Sequence, residues 1–328
     1  MDILVTGGAG FIGGHLAEAF VVDGHNVTVI DNLKPFYDIG LKQHTIEQCQ
    51  SAANEHTGSY EFIQGDIRNA DLVGELVEEM DAVVHQAAQA GVRASVENPR
   101  EVTATNVDGT VNLLQSSVEA DVERVLIASS SSVYGKAQYL PYDEDHPTEP
   151  VSPYGVSKLA TEELARVYSE LHSLSTVCLR YFTVYGPRMR PNMAISNFVS
   201  RCMNGEAPVI YGSGKQTRDF THVSDVVKAN QTLLEADVVG GDILNIGSTD
   251  TISIEKLATL IRDELAPELD LRYEAEQEAD AAHTHADVSK AREAIGYDPS
   301  IGIELGVTEF IQWYRSNRDW YEPLVRNS

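Results

Sequence analysis

The chain has 328 residues, 42% apolar and 23% charged, a globular composition long enough for a large core and about two domains. Fifty Asp and Glu face 24 Lys and Arg, a net charge of −26, and such a field repels nucleic acid and anionic lipid. No apolar run reaches the roughly 18 residues of a membrane helix, and Cys49, Cys178 and Cys202 show no CxxC spacing, which argues against a disulfide framework or structural zinc. A reducing, cytoplasmic setting is expected, and no basic–apolar leader suggests a secretory signal. The acidic residues are scattered, as on a solvated surface. At molar salt the Debye length is about 3 Å, so their repulsion is screened there; the charge points to a high-salt cytoplasm, as in halophiles.

In chain order, apolar runs at 2–5, 26–30, 60–63, 82–85, 124–128 and 176–181 read as strands. Helical patterns lie between them at 11–22, 41–53, 70–80, 99–119 and 153–172. Nearly continuous apolar strands alternating with helices predict an α/β fold, a doubly wound parallel sheet covered on both faces. After Gly186 helices are expected at 193–204, 223–235, 254–264, 289–294 and 305–315, with short strands at 208–210 and 243–246. The reading is a dinucleotide-binding domain over 1–186 and a smaller lobe over 187–328, with later segments free to rejoin the first sheet.

The first strand runs into Thr6-Gly7-Gly8-Ala9-Gly10-Phe11-Ile12-Gly13, a GxxGxxG turn that opens a helix. Glycines let the backbone approach a pyrophosphate, and the helix N-terminus supplies N–H groups and the positive dipole end. Asp31 ends the second strand 18 residues past Gly13, followed by Asn32. A carboxylate there accepts ribose hydroxyls and repels a 2′-phosphate, which favours NAD over NADP. Asp66-Ile67 follows the third strand, where an adenine would lie; a helix N-cap at Asp66 is the plainer alternative. Gly214-Lys215 in YGSGKQT lacks the first glycine and the Ser/Thr of a P-loop, and reads as a turn before a strand.

Ser129-Ser130-Ser131-Ser132-Val133-Tyr134-Gly135 follows the fifth strand, and Tyr154-Gly155-Val156-Ser157-Lys158 opens a helix. Tyr154 and Lys158 share a helix face. An unperturbed tyrosine titrates near 10; a nearby ammonium and an oxidised nicotinamide stabilise its phenolate, making it a base. A hydroxyl at the carboxyl end of the fifth strand would bind the reacting oxygen, since ligands in open α/β sheets sit at those ends.

These residues carry a resemblance. TGGAGFIG, GDIR at Gly65–Arg68, HQAAQAGVR at His85–Arg93, NVDGT at Asn106–Thr110, SSSSVYG, SPYGVSK, RYFTVYGPR at Arg180–Arg188 and TRDFTHV at Thr217–Val223 are its matching pieces, and it covers essentially all 328 residues. It resembles the extended short-chain dehydrogenase/reductases of the nucleotide-sugar epimerase and dehydratase family. The resemblance implies a Rossmann domain with NAD, a C-terminal lobe holding a UDP- or TDP-sugar, and a homodimer. It assigns Ser130, Tyr154 and Lys158 to catalysis and Ala87, Ala88, Gln89, Asn106, Ser129 and Tyr181 to the cofactor, beside Gly7, Gly10, Phe11, Ile12, Gly13, Asp31, Asn32, Asp66 and Ile67.

Family dehydratases carry an Asp-Glu pair after the catalytic Ser or Thr; Ser131 and Ser132 stand there and hold no acid. The resemblance therefore implies 4-epimerisation through a 4-keto sugar. Thr183 after RYF, with Ser131 and Ser132, is most similar to UDP-glucuronate 4-epimerases, where these hydroxyls hold the C6 carboxylate, with Arg93 and Arg190 as further candidates. The alternatives are a UDP-glucose 4-epimerase, in which the hydroxyls only make room, a dehydrogenase releasing NADH, and a non-catalytic NAD-binding relative. Arg218 matches a diphosphate arginine and Tyr211 an aromatic near the uracil. Asp280 is retained from a family RxGD stretch whose Arg is replaced by Gln277. No metal is expected: His283, His285 and Asp287 precede a helix, and the reaction needs none. His85 and Cys178 read as buried structural residues.

Overall fold

The computed structural model describes residues 1–238, 240–275 and 282–326. Seven strands form one sheet: β1 (Asp2–Thr6), β2 (Asn26–Asp31), β3 (Ser59–Gln64), β4 (Ala82–His85), β5 (Arg124–Ser130), β6 (Thr176–Tyr181) and, far along the chain, β11 (Asp242–Ile246). Their order is β11-β6-β5-β4-β1-β2-β3, and every pairing is parallel. Alternation along each strand splits the core in two. Ile3, Val5, Val29, Val84 and Leu126 face one side, and Leu4, Ile30, Val83, Val125 and Ile127 the other. All ten are buried, each worth roughly 1.5–3 kcal/mol of transfer free energy.

Helices α1 (Phe11–Val22) and α2 (Ile39–Glu55) lie against the first set, α3 (Ala70–Val77) and α6 (Gly109–Glu119) against the second. The chain order reverses between β1 and β4, so a crevice opens beyond their carboxyl ends, where open α/β sheets bind ligands.

The expected helix over 99–119 is interrupted. After α4 (Val92–Glu97), which the sequence reading missed, come α5 (Pro99–Thr103), a π-turn at Ala104–Asp108, and α6. Asp66 does not cap α3: Asn69 does, accepting from the Leu72 N–H at 3.3 Å. Helix α7 (Pro153–His172) matches its expected span and is capped by Ser152, which accepts from the Gly155 N–H.

The second half builds three two-stranded pairs: β7 (Thr183–Tyr185) with β10 (Phe220–His222), β8 (Val209–Tyr211) with β13 (Arg272–Glu274), and β9 (Thr217–Arg218) with β12 (Ile252–Ser253). Gly212 and Gly214 take φ of +74° in the YGSGKQT turn before β9. Helices α8 (Ala194–Met203), α10 (Ile254–Leu265) and α11 (Ser289–Ile295) fall near their expected places, and α9 (Val223–Glu235) packs on α1. The last helix, α12, runs from Ile303 to Arg326, well past the expected end at 315. Its polar stretch at 316–319 reads as an end, but the buried stripe Phe310, Tyr314, Tyr321, Val325 continues at helical spacing.

Candidate active site

One cavity of about 400 Å³ follows the crevice from the glycine turn to α7. The turn is built for close approach. Gly7 has φ +70°, and a Cβ there would lie 2.7 Å from the Ala87 backbone nitrogen; a Cβ on Gly13 would collide with the Gly7 carbonyl. Gly10 leads into α1 without a side-chain cap, leaving the helix N-terminus to an anion. Phe11, Ile12, Ala87, Ala88 and Gln89 line the same stretch. A pyrophosphate-bridged dinucleotide fits this cradle, where any side chain would obstruct it.

At the far end Asp31, Asn32, Asp66 and Ile67 line the wall. Asp31 is buried and does not stand alone. Its Oδ1 accepts from Lys42 Nζ at 2.8 Å and from the Leu33 N–H at 2.9 Å, and Lys42 lines the cavity. The sequence reading missed Lys42, although Lys42, Thr45 and Cys49 occupy the buried face of α2 at i, i+3, i+7 spacing. Asp66 accepts from Asn32 and, through both oxygens, from Arg68; the Arg68 hydrogen bonds hold its carboxyl below the usual range.

At the other end Ser129, Ser130, Ser131, Ser132, Tyr154, Lys158, Tyr181 and Thr183 all reach the cavity. Residues 130–132 turn tightly off β5: the Ser132 N–H donates to Ser130 Oγ, which donates to Ser132 Oγ, each at 3.1 Å. Burial raises the Tyr154 hydroxyl above its ordinary pKa, against a Ser130 hydrogen bond and the Arg190 charge, which lower it. Lys158 Nζ donates to the Ala128 carbonyl at 2.6 Å. Burial brings Lys158 down to about 8, opposed by Cys178 and Glu162. Tyr181 accepts from Asn230 at 3.0 Å and Gln86 at 3.2 Å. Burial pushes its hydroxyl up to about 12.

Asn106 acts at one remove. It lies in the π-turn, buried, with Oδ1 accepting from the Gln89 N–H at 2.7 Å and Nδ2 donating to Ser157 Oγ and the Gln89 carbonyl. It thereby shapes the 87–89 wall. Arg190 lines the cavity with its guanidinium 5.9 Å from the Phe36 ring. Arg93 and Tyr211 do not line it; they pair with each other, guanidinium over ring at 5.8 Å. Arg218 borders a separate cavity of about 90 Å³ and donates to the Thr217 carbonyl at 2.9 Å. Asp280 and Gln277 lie outside the described residues.

His85 is buried between Thr6 at 2.7 Å and Thr110 at 3.0 Å, and Cys178 is buried in β6. His283 Nδ1 bonds to Thr217 Oγ1 and His285 Nε2 to the Thr249 carbonyl. Among the described residues, the carboxylates lining the main cavity are Asp31 and Asp66, both at its far end from Tyr154.

Comparison with known proteins agrees with this geometry. Residues 3–247 match the NAD dependent epimerase/dehydratase family. A UDP-glucuronate 4-epimerase of Thermodesulfobacterium geofontis is 35% identical over 318 residues, 96% of each chain. The crystal structure of UDP-glucuronic acid 4-epimerase from Bacillus cereus, in complex with UDP-glucuronic acid and NAD, superposes with a TM-score of 0.88 at 32% identity, covering 96% of this chain and 99% of that one. UDP-glucose 4-epimerase of Thermotoga maritima, solved with UDP-glucose, gives 0.88 at 29% identity, covering 97% and 100%. The chain belongs to the NAD dependent epimerase/dehydratase family.

Proposed function

We propose that this chain is an NAD-dependent UDP-sugar 4-epimerase acting on UDP-glucuronate. Residues 1–186, joined by β11, form the NAD domain, and the rest of 187–328 mainly forms the sugar-nucleotide lobe. Ser130 and Tyr154 bind the sugar 4-hydroxyl, and Tyr154, as phenolate, takes its proton. Bound NAD accepts the C4 hydride and returns it to the opposite face of the 4-keto sugar. Tyr154 then gives the proton back, so no net oxidation results. Lys158 holds the phenolate in its charged form.

The observation that carries this reading is the pair Ser131 and Ser132 beside Tyr154, where loss of water from C6 would need a carboxylic acid. Ser131, Ser132 and Thr183 present hydroxyls to a C6 carboxylate, and the cation Arg190 lines the same cavity. Those hydroxyls are neutral, which favours UDP-glucose as the second reading. Proton NMR of the protein in about 2 M KCl, a concentration chosen to screen its charge, decides between them. UDP-glucuronate and UDP-glucose are supplied separately. A galacturonate signal from the first tube alone is expected, without net NADH. A galactose signal from the second alone would assign the hydroxyls to spacing, and net NADH would make the protein a dehydrogenase.

The protein is further read as cytoplasmic, adapted to high salt, and a homodimer. Val96 on α4 and Val156 and Leu171 on α7 are more than half exposed, apolar surface that a second copy would cover. A light-scattering mass equal to one chain would overturn the dimer.

A further inference from the structure

The epimerase reading uses Tyr154 and Lys158 on α7 and stops there. The same helix face carries a third ionisable residue, Glu162, four positions past Lys158. Both are almost fully buried, at 3% and 1% exposure. Glu162 Oε1 accepts from Ser129 Oγ at 2.5 Å and from Arg180 Nε at 2.9 Å, and Oε2 accepts from Arg180 Nη2 at 2.8 Å. Arg180 is anchored in turn on Tyr134, by a 2.9 Å hydrogen bond to its hydroxyl and a guanidinium seat 4.7 Å from the ring centre. Ala128, Ser129 and Ser130, the last three residues of β5, thus each meet a member of one α7 face: Lys158, Glu162 and Tyr154 respectively.

We propose that Glu162 is a positioning residue for catalysis: it locks α7 to the end of β5 and keeps the Lys158 ammonium charged beside Tyr154. The inference rests on the epimerase reading only for its turnover readout. The charge balance carries it. Tyr154 lies one turn before Lys158 on the same α7 face, and both line the cavity; the groups that act on Lys158 are Glu162 on α7, Cys178 on β6 and His85 on β4, with Arg180 and Glu144 behind Glu162. His85 is held neutral by burial, down to about 3, and burial keeps the Cys178 thiol protonated. That leaves the Glu162 carboxylate as the anion among them that is hydrogen-bonded to this face of the site. A buried ammonium without it sheds its proton more readily. A neutral Lys158 no longer favours the Tyr154 phenolate.

The test is the pH profile of turnover in the NAD-loaded protein, read together with the tyrosinate absorbance of Tyr154, taken as the difference from Tyr154→Phe. In Glu162→Gln the alkaline limb of kcat falls and the acid limb rises, each by about one pH unit, and the Tyr154 midpoint moves up. Glu162→Asp retains the charge and so keeps both limbs in place while losing amplitude. A Glu162→Gln protein that binds NAD, with a profile that scales onto the wild type and an unmoved Tyr154 midpoint, would reduce Glu162 to a strut. If the single variant fails to fold because Arg180 is left unpaired, Glu162→Gln with Arg180→Met removes the pair whole, which buried pairs commonly tolerate, and is read by the same two measurements. Wild-type protein that turns over no UDP-sugar would defeat the epimerase reading, while the absorbance midpoint would still decide the role of Glu162.

Discussion

At the scale of single residues, the chemistry turns on groups that burial has moved from their ordinary behaviour. Tyr154→Phe removes the proposed base and keeps the ring; turnover should fall by about 10²–10⁴-fold, the usual worth of a positioned acid–base group, with NAD still bound. Isothermal titration beside an NMR rate assay checks both halves. Asp31, proposed to bind the NAD ribose, also holds Lys42 in a buried pair with side chains 10% and 6% exposed. Asp31→Ala should weaken NAD and also strand Lys42, costing roughly 3 kcal/mol or more; unchanged thermal unfolding of the NAD-free protein would contradict the second effect. The glycine turn, Asp31 and the YxxxK helix were legible in the sequence because each is a local pattern whose spacing carries its own physics. Lys42 and Glu162 were not singled out, since their partners come from other elements and only the folded chain brings them together.

Among the elements, the π-turn at Ala104–Asp108 and the long α12 separate prediction from structure. A π-turn adds one residue to a helix without any required composition, so the span 99–119 reads as one continuous helix. The bulge is what seats Asn106 between the Gln89 backbone and Ser157. Asn106→Ala leaves the Gln89 N–H and carbonyl without these bonds, and should cost about 1–3 kcal/mol and weaken NAD through the 87–89 wall. Helix α12 extends to Arg326 because Trp320 stacks on His44 of α2 at 3.6 Å and the Tyr321 hydroxyl reaches the Met189 carbonyl at 2.8 Å. Tyr321→Phe should lower stability by about 1 kcal/mol, read from the denaturant midpoint.

For the whole molecule, the net charge of −26 and the buried histidines pull stability in opposite directions with pH. Raising KCl from low to molar should raise the melting temperature at neutral pH, because screening removes the self-repulsion; a melting curve indifferent to salt would refute the high-salt reading. At molar KCl the histidines dominate. His85 is lowered to about 3 from an ordinary 6.5, by burial first and the Lys158 charge second. Below pH 6.5 the unfolded chain binds a proton that the folded chain refuses. Stability is therefore full above that value and drains as pH falls toward 3, by about 2 kcal/mol at pH 5 from His85 alone. His15, partly buried and likewise lowered by desolvation first, adds to the loss.

The sequence by itself determined the doubly wound sheet, the glycine turn after β1 and the shared helix face of Tyr154 and Lys158, because strands, glycine turns and i, i+4 pairs are set by neighbours along the chain; Ser130 comes from another element, β5. Only the tertiary structure decided that β11 joins the main sheet beside β6, that Arg93 sits on Tyr211 outside the cavity, and that Glu162 and Arg180 form a buried pair behind Lys158. Each of these joins residues distant in sequence, and their energy comes from burial and charge pairing that exist once the elements have packed.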